Sequence, residues 1–400
     1  MAVHIRHCRA GILQRRILKD LFSVSGLCLG VLLVLLLVGR MLQLRDLFLA
    51  LNLGLADLGR LFFYMTPFFL LLLLPIAGML GVFLTFLRMS TDRELVALRA
   101  SGVSLYELLP APVFFCLALT AFNLANGLWG ISWGADQFRG EILSMVKTRT
   151  QLVLQPGVFN TDLPGLTFYA HRVDNQAGDL ESVFVRDRTR KDMDATIVGR
   201  QGHFETDSVR GEILLQLEDG RIYQSQGDRF GVLKFGSYSV RIPLGLLIKG
   251  YDPAEVKARD MSWSGLSQAE DDPALRNSDR GLFYRKVVTE KQKRLALPFA
   301  CLILGLFALP IATAFSGLKQ SYGLVLSMGL FLLYYTLFSV GVSLGESGTL
   351  SPEIGLWMPN LLFLFLALAG IRLAAREKTF GLVEWLRHRR IFPFRGASPA

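Results

Sequence analysis

Six apolar blocks decide most of what this chain can fold into. They lie at about 20–42, 61–87, 105–128, 295–316, 322–344 and 354–373. A helix needs about 20 apolar residues to cross the hydrocarbon core of a bilayer, where its backbone groups must pair within the segment. Each block meets that length, so the chain reads as an α-helical integral membrane protein with six transmembrane helices. The first block, LFSVSGLCLGVLLVLLLVGRMLQ, has too long an apolar run for a cleavable signal. No small-residue cleavage site follows it in GRMLQLRDLF.

Charged residues make up only 19% of the 400 residues, against about a quarter in an ordinary soluble chain. The polar residues collect between the third and fourth blocks, which marks one soluble domain inserted into a membrane protein. The formal charge is +10. Its Lys and Arg residues flank the apolar blocks, which points to a topology signal and away from nucleic acid. Arg6, Arg9, Arg15, Arg16 and Lys19 precede the first block. Arg88, Arg93 and Arg99 lie between the second and third, Lys319 between the fourth and fifth, and Arg372 to Arg395 after the sixth. Six spans put all of these on one side, and the short loop 345–353 on the other side has no Lys or Arg. Both termini are therefore expected in the cytoplasm and the segment 129–294 outside it.

From 151 to 243 the pattern changes to short β-rich stretches such as LTFYAHRVD, LESVFVRDR and GEILLQLEDGRIYQ, punctuated by DNQAGD and LEDGR. This spacing predicts an all-β sandwich or open barrel, with no room for the crossover helices of a parallel sheet. The expected organisation is 1–128 for the N-terminus and first three spans, 129–250 for the β domain and 251–294 for a helical linker. Residues 295–373 are the last three spans and 374–400 a basic tail. Prolines 67, 75, 110, 112, 298, 310 and 359 fall in or beside the spans, as tolerated kinks or as hinges.

No P-loop pattern occurs, and His4, His7, His171, His203 and His388 form no metal-ligand set. Cys8, Cys28, Cys116 and Cys301 suggest neither a disulfide framework nor a metal cluster. GISWG (130–134) and GVSLG (341–345) match the nucleophile elbow of serine hydrolases around Ser132 and Ser343. Both lie at the ends of apolar helices, where Gly and Ser are frequent, and not on a strand–turn–helix. Basic residues also stand where the topology rule does not require them. Arg40, Arg45 and Arg60 mark the outer ends of the first two spans. Arg285, Lys286, Lys291, Lys293 and Arg294 precede the fourth. Each can simply snorkel, but together they suit an anionic ligand at the outer leaflet. Glu290 could neutralise part of the second cluster.

Between the second and third blocks runs RMSTDRELVALRASGVS, a polar interruption from Arg88 to Ser104. Thr91 and Glu94 fit a capping box, Leu95 and Leu98 share a face, and Gly102 suits a left-handed helix end. A short helix over 90–102 is expected here. Glu94 either caps it or meets a partner.

These residues resemble a known family. The six spans, the inserted β domain and DRELVALRASGVSLYELLPAPV look like the LptF/LptG lipopolysaccharide export permeases. GRMLQLRDLF, GVFNTDLPGLTFYAHRV, LESVFVRD and GLWMPN place the chain closer to the F branch. The resemblance implies a permease subunit of an ABC transporter in the Gram-negative inner membrane, with a jelly-roll-like periplasmic domain. It implies an LptG-like permease partner, an LptB-like ATPase dimer that binds the ATP, and an LptC-like single-span protein. No cofactor is implied on this chain. The short helix then corresponds to the coupling helix, with Asp92, Arg93, Glu94, Arg99 and Gly102 on it and Glu94 fitting a groove of the ATPase. Lipopolysaccharide would enter laterally between the first span of one subunit and the fifth span of the other. Arg40, Arg45, Arg60, Lys293 and Arg294 become candidates for its phosphates. A membrane-anchored hydrolase and a non-transporting scaffold are the competing readings.

Overall fold

The computed structural model describes residues 2–43, 54–153, 157–163, 166–173, 179–187, 194–207, 212–226, 229–243, 257–276, 281–314 and 320–375. Among them, six helices are long and apolar enough to cross a membrane: Gly11–Leu42, Ala56–Thr91, Leu105–Ile142, Gly281–Thr313, Leu324–Ser347 and Pro352–Ala374. They belong to α1 (Ala2–Gln43), α2 (Leu55–Thr91), the α4–α6 run, α9 (Gly281–Ala314), α10 (Gln320–Ser347) and α11 (Pro352–Ala375). Between α2 and the third span lies α3 (Glu94–Ala100). The third span is α4 (Leu105–Leu108), α5 (Pro110–Ala125), a π turn at Asn126–Gly130, and α6 (Ile131–Val153). The strands lie between α6 and α9. They are followed by a 3₁₀ turn at Ala258–Asp260, α7 (Trp263–Asp271) and α8 (Pro273–Arg276).

Helix ends fall further out than the apolar blocks alone suggest. The 37 residues of α2 reach about 55 Å, well beyond a hydrocarbon core of about 30 Å. In the same way α9 starts at Gly281, so the basic cluster 285–294 is helical and continuous with the fourth span.

The chain divides into two compact units, one of Met1–Gly39, Tyr64–Gly134 and Ala258–Ala400, the other of Arg40–Phe63 and Ala135–Lys257. In the first unit α2 is the centre. Met79, Phe83, Phe86 and Leu87 are fully buried there, packed with Phe115 and Cys116 of α5 and Ala300, Leu304 and Ala308 of α9.

Three of the helix prolines have a visible solution. A proline leaves the carbonyl four residues earlier without its donor. Pro75 frees the Leu71 carbonyl, which accepts from Asn123 Nδ2 at 3.1 Å. Pro298 frees the Arg294 carbonyl, and Gly127 comes so near that a Cβ there would lie 3.2 Å from the oxygen. Pro359 frees the Gly355 carbonyl, and a Cβ on Gly341 would lie 2.1 Å from it. A neighbouring helix thus meets each orphaned carbonyl with an amide or with the bare Cα of a glycine. At these positions the proline is a packed kink.

The second unit holds one antiparallel sheet with strands in the order β1-β2-β3-β4-β5-β6. They are β1 (Asn160–Leu163), β2 (Leu166–Val173), β3 (Asp179–Asp187), β4 (Asp194–Asp207), β5 (Glu212–Gln226) and β6 (Arg229–Pro243). The antiparallel β domain expected between the third and fourth spans is present. Its described strands follow one another as a meander. Alternate residues bury one face: Phe168 and Ala170, Val183 and Val185, Leu215 and Leu217. LEDGR reads as a turn but lies inside β5. Asp219 (φ 49°) and Ser182 (φ 52°) are left-handed within their strands. The ladder skips both while keeping register on either side, as in Val183↔Gly199, Gly199↔Gly220 and Gly220↔Phe235. The row through Ser182 and Asp219 therefore creases the sheet where a turn was expected.

Candidate functional site

The polar interruption folds as a short helix seated on the first unit. α2 runs through Thr91, whose hydroxyl donates to the Leu87 carbonyl at 2.9 Å. The capping box is therefore not formed. α3 begins after Arg93, which is left-handed (φ 60°) and gives no side-chain cap. A threonine in the last turn of a helix satisfies its hydroxyl on its own backbone, and the start of the next helix shifts accordingly.

The other end is as expected. Gly102 has φ 85°. Its N–H donates to the Arg99 carbonyl at 2.9 Å, and Val103 N–H donates to the Leu98 carbonyl at 3.0 Å. That pair of bonds is a Schellman stop, which needs a left-handed residue where glycine is unstrained. Leu95 is 3% exposed, and Leu98 and Val103 pack on the same core.

On the outside, Asp92 and Arg93 are exposed, and Glu94 and Arg99 are half-buried. Two apolar side chains join this surface, Val96 at 59% exposure and Tyr106 at 55%. Reading for charges passed over both. The available signal was that Val96 lies off the Leu95–Leu98 stripe.

Glu94 also has a partner that sequence order hides. Arg16 Nη2 of α1 lies 3.3 Å from its Oε1. One turn further along α1, Asp20 Oδ2 pairs with Arg88 Nη2 at 2.8 Å. Gln14 Nε2 donates to the Glu107 carbonyl. Ile17 and Leu21 between them are buried. Arg16 reads in the sequence as a topology charge; here it reaches from α1 to pair with Glu94 of α3.

The basic cluster on α9 is mostly turned inward. Glu290 Oε2 accepts from Lys293 Nζ at 3.1 Å, and its Oε1 lies 3.5 Å from Arg294 Nε. Arg294 is fully buried, and its Nη2 donates to the Arg259 carbonyl at 2.8 Å. Lys291 pairs with Glu270 and lies over the Trp263 ring. Arg294, a phosphate candidate in the sequence, lies at the buried centre of an ion cluster. That cluster ties the 3₁₀ turn and α7 to α9. Burying a guanidinium requires such partners. Arg40 lies on the last turn of α1 and is half-buried. Arg60 is exposed and pairs with Glu141 at 3.5 Å. Arg45 lies outside the described residues.

Neither serine elbow exists. Ser132 lies in α6 and donates to the Met261 carbonyl at 3.0 Å. Ser343 is exposed on α10. The glycines around them serve close helix contact. A Cβ on Gly134 would lie 2.4 Å from the Tyr64 carbonyl, and one on Gly345 would lie 3.2 Å from Pro352 Cα. These are small-xxx-small packing stretches, which share their spacing with the hydrolase motif. Among the described residues, no group of three or more His, Cys, Asp or Glu could hold a metal ion.

The membrane half of α1 packs Leu29, Leu32, Leu33 and Leu36 against the core and leaves its other face uncovered. Leu27, Leu35 and Leu42 are 70%, 66% and 69% exposed, and Gly30, Val31, Val34, Leu35 and Val38 line a shallow apolar furrow. Much of α10 is similarly uncovered, including Val325, Leu332 and Leu333.

A family model described as lipopolysaccharide export system permease LptF/LptG matches residues 15–373. The lipopolysaccharide export system permease protein LptF of Escherichia coli (strain K12) is 23% identical over 312 residues, which cover 74% of this chain and 77% of the relative. The LptF proteins of Escherichia coli O157:H7 and Shigella flexneri match to the same extent.

Proposed function

We infer the function from one premise: this chain belongs to the LptF/LptG family of lipopolysaccharide export permeases. It is a multi-pass membrane protein of a family of non-enzymatic transporter subunits. We propose that it takes the F place in an ABC transporter that extracts lipopolysaccharide from the inner membrane and passes it to a periplasmic bridge. On this reading both termini and α3 face the cytoplasm, and the sheet lies in the periplasm. An LptG-like permease completes the membrane part, with an LptC-like single-span protein beside it. ATP is bound and hydrolysed by an LptB-like ATPase dimer.

The observation that carries the reading is α3. It is a helix ended by a Schellman stop and held to the bundle by Leu95 and Leu98, with Glu94 half-exposed and Val96 exposed on it. A half-exposed carboxylate on a helix packed against the bundle suits a cation in a partner's groove. A partner that hydrolyses ATP can push on the spans through such a helix.

The bare faces of α1 and α10 supply the second half. An amphiphile with acyl chains needs a lateral apolar surface, and each methylene removed from water contributes about 0.8 kcal/mol. Arg40 and Arg60 are the described basic residues best placed to meet its phosphates. Lys293 contributes only if its pair with Glu290 opens.

Glu94→Lys tests the reading. The expected result is loss of ATPase co-purification and of lipopolysaccharide at the cell surface, with the permease still folded in the membrane. Normal levels of both would remove Glu94 from the coupling role.

A further inference from the structure

Arg16 has no place in the function proposed above, yet it touches the one residue that function depends on. Its guanidinium is 3.3 Å from Glu94 Oε1, and the two side chains are 67% and 42% exposed. The contact is not isolated. Asp20 and Arg88 pair one turn along, Gln14 bonds to Glu107, and Ile17 and Leu21 bury between them.

This short segment is also where α1 is anchored. A Cβ on Gly81 of α2 would lie 2.8 Å from Ser25 Cβ, and Ser25 is buried. Beyond Ser25 the helix exposes Leu27, Val31, Val34 and Leu35. So α1 is held by polar contacts to α2, α3 and α4 at one end, and beyond Ser25 one of its faces is uncovered.

From this arrangement we propose that Arg16 is an internal competitor for Glu94: a cation of the docking ATPase displaces it, and the anchored end of α1 changes partner when the ATPase engages. The proposal rests on Glu94 being the docking acid. An exposed ion pair is weak and screened by water, so a better-buried cation can replace it at little cost. While Arg16 holds Oε1 it offsets part of the Glu94 charge, so an incoming cation is attracted less strongly until that pair opens. Arg16 is then a positioning residue whose release reaches α1 directly, because the buried Ile17 is its neighbour and the buried Leu21 lies about one turn further on. Asp20–Arg88 stays paired throughout and keeps the helix from detaching.

The test is a double-mutant cycle on the full permease complex in detergent or nanodiscs, with binding of the purified partner ATPase as the readout. Arg16→Ala removes the competitor, so ATPase affinity should rise about two- to fivefold, the range of an exposed pair. Arg16→Lys should return it to the wild-type value. In a Glu94→Gln background the gain from Arg16→Ala should vanish. Lipid released per ATP should fall in Arg16→Ala, which a merely structural arginine would not produce while binding improves.

If Glu94→Gln alone leaves ATPase affinity unchanged, the docking role of Glu94 fails and the competition with it. If Glu94→Gln weakens binding but Arg16→Ala leaves affinity the same or lowers it, the docking role stands and the competition is overturned. A gain that persists in the Glu94→Gln background overturns it as well.

Discussion

The first two spans are both strongly apolar, and their surroundings are opposite. In the most apolar stretch of α2, 89% of the residues are buried; in that of α1, 11% are. Lipid tails are as apolar as leucine, so hydrophobicity does not choose which helix sits at the centre of a membrane bundle. Close packing and polar contacts do. α2 has Phe83 and Phe86 at zero exposure, a carbonyl met by Asn123, and Gly81 against Ser25. In α1 the positions of Gly26, Gly30 and Gly39 open onto empty space. One helix is scaffold, and the other is a surface waiting for something apolar.

The contrast can be broken most forcefully in the core. Phe83→Ala should cost about 3 kcal/mol or more through the cavity it leaves, whereas Leu35→Ala on α1 should stay within about 0.5 kcal/mol. Thermal unfolding of the purified complex reads both, and equal shifts would erase the distinction. The seam between the two helices comes next. Gly81→Leu collides with Ser25 and should destabilise by about 1–3 kcal/mol, while Gly30→Ala should be neutral or slightly stabilising. The smallest effect concerns the kink at Pro75. Asn123→Ala leaves the Leu71 carbonyl without its donor and should cost about 1 kcal/mol. A loss no larger than that of an exposed alanine substitution would mean that another group satisfies the carbonyl.

The six spans and the β insertion were legible because their signals are local: apolar length in one case, period and turn residues in the other. Local signals failed wherever a second element decided the outcome. Thr91 looked like a helix start, yet α2 runs through it and takes its hydroxyl. Asp219 looked like a turn, yet β5 carries it through a crease. GISWG and GVSLG looked like elbows because close helix packing uses the same spacing of small residues. Glu290 was correctly suspected of neutralising its neighbours. The full burial of Arg294 depends on the Arg259 carbonyl, 35 residues away. Arg16 and Glu94 are 78 residues apart, and no periodicity links them. In the short helix α3, the Schellman stop at Gly102 was the most readable feature, since a glycine after a short amphipathic run has few other uses there.

On the function proposed above, lipopolysaccharide moves along the uncovered face of α1 when a partner hydrolyses ATP. A photo-crosslinking residue at Leu35, with a matched control at Phe86 in α2, tests it directly in proteoliposomes holding the full complex, lipopolysaccharide and ATP. An adduct at 35 that depends on ATP turnover, with none at 86, is the expected result. No adduct at 31, 35 or 38 while ATP is being hydrolysed would contradict the account.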